Sequence, residues 1–160
     1  MRDSVLFVCM GNICRSPTAE GVFRERARLA GVDSRILVAS AGTGDWHVGE
    51  PPDRRAIAHA EKRGYDLRKQ RARQIAIDDY QRFHWILAMD RGILREVNAL
   101  RPIGHEGHIG LFLDLAPELG VRDVPDPYFG GADGFEKVLD LIEAASESLL
   151  RKIIAERLSA

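Results

Sequence analysis

The sequence predicts an α/β fold: a mainly parallel sheet covered by helices on both faces. Residues 5–8, 36–39, 85–89 and 109–113 are short, continuous apolar runs, the pattern of strands buried on both sides. Between and after them apolar residues recur at helical spacing, and strands that alternate with helices are joined by crossovers, which pair them in parallel. The length, 160 residues, suits a single domain with one sizeable core spanning 1–160.

The elements follow in order. The run 5–8 leads through a short loop into a helix whose buried face is Ala19, Val22, Phe23, Ala27 and Ala30. After the run 36–39, Pro52 and Asp53 open a helix over 54–63 that Gly64 stops. The run 85–89 precedes a helix marked by Ile93, Leu94, Val97 and Leu100. The run 109–113 is the last strand, and Phe135, Val138, Leu139, Ile142, Leu149 and Ile153 mark a long C-terminal helix. Gly130 and Gly131 form a turn ahead of it. There is no internal repeat, low-complexity tract or linker.

Composition narrows the function. Hydrophobic residues make up 45% and charged residues 29%, an ordinary globular balance. With Lys+Arg at 23 and Asp+Glu at 24 the net charge is -1, so no basic excess recommends nucleic acid as a partner. The first apolar run is far shorter than the roughly 20 residues of a membrane span and lacks the flanks of a secretion signal. A cytoplasmic protein, not bound to membrane, is the expectation, and a monomer. Both cysteines, Cys9 and Cys14, lie in one loop, so they build no disulfide framework; Cys/His metal spacing is absent, and no metal or cofactor is expected. His59, His84, His105 and His108 are scattered without ligand spacing.

The chemistry concentrates in Val8-Cys9-Met10-Gly11-Asn12-Ile13-Cys14-Arg15-Ser16-Pro17. A strand that delivers a thiol into a short loop followed at once by a helix N-terminus makes a cup of converging N–H groups, a phosphate site. In an open parallel sheet, ligands sit beyond the carboxyl ends of the strands, where this loop lies. The same positive environment favours the Cys9 thiolate as a nucleophile. Gly11 and Asn12 tolerate the left-handed backbone such a nest needs, so amides from Met10 to Arg15 point inward. Arg15 carries a planar fork that holds two phosphate oxygens at once, a geometry Lys does not copy. Ser16, beside Pro17 as the first helical residue, either caps the helix or donates to the sulfur; both roles are compatible. Cys14 is a small packing residue, or a partner for a reversible Cys9–Cys14 disulfide that would silence and shield the nucleophile.

A departing oxyanion needs a proton. In Val124-Pro125-Asp126-Pro127-Tyr128-Phe129, two prolines stiffen the backbone around Asp126 and fix the direction of its carboxyl group. Asp-Pro is also an ordinary turn, but Tyr128 beside it offers an aromatic wall for a phenyl phosphate, and Trp46 is either the opposing wall or a core residue. His47 and Glu50 fall near Trp46, where they would line the rim. Arg68, Lys69, Arg71 and Arg73 form a basic cluster, read as a solvated face that steers acidic peptides.

With these residues in view, the chain resembles the low-molecular-weight protein tyrosine phosphatases over nearly its whole length. Residues 8–17 match that family's signature, Asp126-Pro127-Tyr128 its late acid loop, and Ala72-Arg73-Gln74 a further segment. The large tyrosine phosphatases place their acid upstream of the Cys loop, whereas Asp126 lies downstream. The resemblance implies a three-layer, flavodoxin-like fold with a central four-stranded parallel sheet. It also implies Cys9 as nucleophile, Arg15 as phosphate clamp, Asp126 as acid then base, and Met10, Gly11, Asn12, Ile13, Cys14 and Ser16 as the phosphate loop. Ser40 would help hold Asn12, Trp46 and Tyr128 would contact substrate, and Gln70 would join the network behind Asn12 where the family often has His. Phe129 replaces a second tyrosine common in the family. Substrates would be phosphotyrosyl proteins and small aryl phosphates, and the product inorganic phosphate.

Three rivals remain. A protein-arginine phosphatase on the same scaffold resembles this chain except that Thr is usual where Ile13 stands. An arsenate reductase on a related scaffold uses further cysteines that are missing here. A non-catalytic phosphate-binding module would keep the cup but has no use for Cys9 and Asp126 together.

Overall fold

The computed structural model describes residues 3–128 and 130–158. Four strands, β1 (Asp3–Cys9), β2 (Ile36–Gly42), β3 (Trp85–Ala88) and β4 (His108–Leu111), form one sheet of order β2-β1-β3-β4 with every pair parallel. Five helices accompany them: α1 (Arg15–Leu29), α2 (Arg54–Lys62), the short α3 (Asp79–Arg82), α4 (Arg91–Ala99) and the long α5 (Ala132–Ile153). The parallel sheet is the one the apolar runs predict, and the whole is the flavodoxin-like three-layer arrangement that the family resemblance implies.

Strand alternation divides the interior. Val5, Phe7 and Cys9 of β1 point to one core, filled by α1 and α5, while Leu6 and Val8 point to the other, filled by Tyr80, Phe83, Ile93 and Val97. Phe7 sits edge-on to both Phe23 (5.8 Å) and Phe112 (5.0 Å), so β1 is gripped along its α1/α5 face. A strand fixed this firmly is a rigid base for the loop that leaves its end.

Helix boundaries follow local chemistry. Asp53 caps α2 by accepting from Arg55 N at 2.8 Å, and Gly64 follows with φ +90°, the left-handed stop expected from glycine. Asp90 caps α4 through Ile93 N at 2.8 Å. Ala30 and Leu100, expected on buried helix faces, instead follow the ends of α1 and α4 and are exposed. Three further expectations need correction. The fourth run ends as a strand at Leu111: Phe112 and Leu113 both enter the core on the α1/α5 side, which two successive residues of a pleated strand do not do, and the chain turns into a 3₁₀ segment at Phe112–Leu115. Strand β2 runs on to Gly42, where it meets the Cys9 loop. Pro17 is the third residue of α1, because the helix already begins at Arg15.

Candidate active site

The loop between β1 and α1 closes at the carboxyl end of β1. Its backbone is tied to the residues that follow β2: Thr43 N donates to Cys9 O at 3.0 Å and Gly44 N to Met10 O at 2.9 Å. Gly42 is required by this approach, since a Cβ there would lie 2.6 Å from Met10 O. Asn12 takes φ 58°, the left-handed turn that curls the loop. Gly11 does not share that conformation; its lack of a side chain serves instead to admit His47, whose Cδ2 would lie 3.0 Å from a Cβ. No side chain caps the start of α1 at Cys14, so its N-terminal amides are left for the loop and what the loop binds.

Within this curl the sulfur is approached by donors. Asn12 N–H donates to Cys9 Sγ at 3.3 Å, and Ser16 Oγ lies 2.9 Å from it. A wholly buried side chain, Ser16 faces the sulfur rather than capping the helix, which decides between its two readings. The direction of each bond follows from a chain of polar contacts. Arg73 N–H donates to Asn12 Oδ1 at 3.0 Å, which fixes the amide orientation. The Asn12 amide nitrogen then donates to Ser16 Oγ (2.8 Å) and Ser40 Oγ (3.0 Å). Ser40 donates onward to the buried carboxylate of Glu20 at 2.7 Å, whose other oxygen accepts from Arg24 at 2.7 Å. Asn12 fills an acceptor site on Ser16, so the Ser16 proton has two acceptors, Cys9 Sγ at 2.9 Å and Ala41 O at 3.4 Å, and the sulfur is the nearer.

Gln70 departs from expectation. Its Nε2 donates to Pro17 O at 2.9 Å and it makes no bond to Asn12; the backbone of Arg73 does that work instead. Its Oε1 is buried with no partner among the described residues. Of the basic cluster, Arg73 is not merely solvated: its guanidinium pairs with the buried carboxylate of Asp79, both contacts at 2.9 Å, and so steadies the segment that holds Asn12.

Arg15 projects from the first turn of α1 and is 3% exposed. Its Nη1 donates to Asp90 Oδ2 at 2.6 Å and to Val124 O at 3.0 Å, leaving the Nη2 side toward the pocket. Asp126 Oδ2 lies 4.0 Å from Nη2. The acid loop is held to the sheet by Val124 N, which donates to Met89 O at 2.8 Å. Tyr128 N–H donates to Asp126 Oδ1 at 3.0 Å, an Asx turn that orients the carboxyl group.

Cys9, Arg15 and Asp126 thus meet in one pocket of about 240 Å³, walled by Met10, Gly11, Ile13, Cys14, Trp46, His47 and Tyr128. Trp46 is 67% exposed and folds over Gly44, so it is a wall and not core. Tyr128 stands at the same rim, half exposed. Glu50 is not in the lining but holds His47, Nδ1 to Oε2 at 2.6 Å. Cys14 is a free thiol like Cys9; burial, reinforced by Asp53, Cys9 and Asp126, pushes its pKa up to about 12. Phe129 lies outside the described residues. Asp90, Glu20 and Asp79 escape sequence reasoning because each reads as an ordinary cap or helix carboxylate. The available signal was the position of Asp90 directly after a strand and before a helix, at the same carboxyl end of the sheet as Cys9.

Comparison with known proteins agrees with this geometry. Residues 4–159 match the family model described as low molecular weight phosphotyrosine protein phosphatase. The chain is 44% identical to a low molecular weight protein-tyrosine-phosphatase of Streptomyces coelicolor, over 96% of this chain and 94% of that one. Its fold superposes on the crystal structure of YfkJ from Bacillus subtilis with a TM-score of 0.92 at 38% identity, covering 98% of each chain. An arginine phosphatase from Drosophila also superposes, with a TM-score of 0.89 at 29% identity over 98% of this chain and 99% of that one. A thiol met by the Asn12 N–H and Ser16, with a buried arginine and a prolyl-flanked acid in the same pocket, agrees with these matches, and the matches over almost every residue place the chain in the low molecular weight phosphotyrosine protein phosphatase family, a family of hydrolases.

Proposed function

We propose that residues 1–160 form a single catalytic domain that hydrolyses phosphotyrosine in proteins, and small aryl phosphates, through a phosphocysteine intermediate. The observation that carries this reading is the placement of Cys9 Sγ at the floor of the pocket, 2.9 Å from Ser16 Oγ and 3.3 Å from Asn12 N, with Arg15 and Asp126 on its walls.

The phosphate enters with its oxygens against the loop amides and the Nη2 side of Arg15. Cys9 thiolate attacks phosphorus in line, forming the S–P bond as the P–O bond to the phenol breaks. Asp126 donates its proton to the departing oxygen. Water then attacks the phosphocysteine, Asp126 takes its proton, the S–P bond breaks and inorganic phosphate leaves. Ser16 stabilises the thiolate at both ends of the cycle.

The walls support an aromatic substrate. Trp46 and Tyr128 present rings to the pocket, and Ile13 offers apolar contact where a phosphoarginine site calls for a hydroxyl. Turnover of matched phosphotyrosyl and phosphoarginyl peptides, repeated with Ile13→Thr, tests the assignment: preference for phosphotyrosine that weakens in the variant supports it, and preference for phosphoarginine in the native protein overturns it. Binding without turnover would instead favour a phosphoprotein-binding module. The protein is proposed to act as a cytoplasmic monomer without nucleic acid or membrane partners; no helix among the described residues is long and apolar enough to cross a membrane.

A further inference from the structure

The acid loop rests on one arginine that the chemistry above leaves without a role. Arg55, at the start of α2, grips both oxygens of Asp53, with Nε to Oδ1 and Nη2 to Oδ2 each at 3.1 Å. Asp53 is anchored to the phosphate loop, its N–H donating to Ile13 O at 2.8 Å. From that fixed point Arg55 Nη2 reaches across and donates to Tyr128 O at 2.9 Å. Its guanidinium also lies 5.4 Å from the centre of the Tyr128 ring and 4.9 Å from that of Phe135 on α5.

The consequence falls on Asp126. The backbone of Tyr128 is held at both of its polar groups: Arg55 donates to its carbonyl, and its N–H donates to Asp126 Oδ1. With Oδ1 committed to that N–H, Oδ2 is the oxygen that faces Arg15 and is left to carry the proton. We propose that Arg55 is a positioning residue for general-acid catalysis, a strap from the phosphate loop to the acid loop that sets the direction of the Asp126 carboxyl group. This rests on the phosphatase reading above. Lysine in its place would keep the charge but lose the planar fork that spans Asp53 and the Tyr128 carbonyl at once.

The test separates positioning from folding and from the reading it rests on. The native enzyme must first hydrolyse phosphotyrosine; if it does not, the function fails and the strap is not at issue. In Arg55→Gln, kcat/KM for phosphotyrosine and phenyl phosphate should fall about tenfold, while 2,4-dinitrophenyl phosphate, whose leaving group needs no proton, should be hydrolysed at close to the native kcat/KM. In an Asp126→Ala background the same substitution should cost nothing further. Arg55→Lys should repeat the pattern and carries the test if the glutamine variant unfolds; Arg54→Gln, an equal loss of charge on the same helical turn, should behave as native. An equal fall for every leaving group, a full additional loss in the Asp126→Ala background, or native behaviour of Arg55→Lys would overturn the proposal.

Discussion

Arg15 Nη1 lies 2.6 Å from Asp90 Oδ2, so the cation that faces the phosphate site is already paired on its far side by the carboxylate that caps α4. The pairing is buried on the arginine side and partly open to solvent on the other, with the Arg15 side chain 4% exposed and Asp90 26%. It holds the guanidinium plane before substrate arrives, which is the preorganisation that in-line transfer requires.

Asp90 therefore has two separable duties. Asp90→Asn keeps an oxygen for the Ile93 N–H but removes the counter-charge; Asp90→Ala removes both. Both variants should lose about tenfold or more in kcat/KM through misplacement of Arg15. The alanine variant should be less stable than the asparagine variant by about 1 kcal/mol, the worth of the cap, measured by urea denaturation. Equal stabilities would remove the capping argument.

Asp126→Ala should lower kcat/KM for phosphotyrosine by ~10²–10⁴ and leave an activated aryl phosphate much less affected. A rate series across phenols of graded acidity reads this directly. A uniform loss across the series would mean that Asp126 is not the proton donor.

Asn12 combines a left-handed backbone with three side-chain bonds, to Arg73 N, Ser16 and Ser40. Asn12→Gly relieves the backbone and Asn12→Ala does not, so the alanine variant should be the less stable by about 1 kcal/mol. Both should lose activity alike, because either removes the amide that ties Ser16 to Ser40 behind the sulfur. A glycine variant of native activity would show that the network is dispensable.

Cys14 links stability to alkaline pH. Its folded pKa of about 12 stands above the ordinary 9.0, with burial the leading cause, so the unfolded chain loses this proton first. The contribution is whole below pH 9.0 and is lost as pH rises from there toward about 12. The thermal stability of the native protein should therefore fall more steeply across that interval than that of Cys14→Ser. Parallel curves would contradict the burial of the thiol.

Much of this was legible in the sequence, because the strand runs and the Cys9–Ser16 signature are local. Buried parallel strands announce themselves as unbroken apolar runs, and a phosphate loop needs glycine, asparagine and arginine at fixed spacing. What was not legible is the support that folding brings from a distance. Asp90 reaches Arg15 across 75 residues of sequence and Arg55 reaches Tyr128 across 73, and neither residue has a neighbour in sequence that betrays its partner. Gln70 shows the converse: a position matched to the family's network turns to Pro17 O, while a backbone N–H, invisible to any reading of side chains, holds Asn12.

The covalent step is the centre of the account, and trapping it is the most direct test. Asp126→Ala mixed with a phosphotyrosyl peptide, quenched in acid and mapped by mass spectrometry, should carry one phosphoryl group on Cys9, and Cys9→Ser should fold normally yet show neither the adduct nor turnover. Phosphate found on another residue, or hydrolysis that survives in Cys9→Ser, would contradict it.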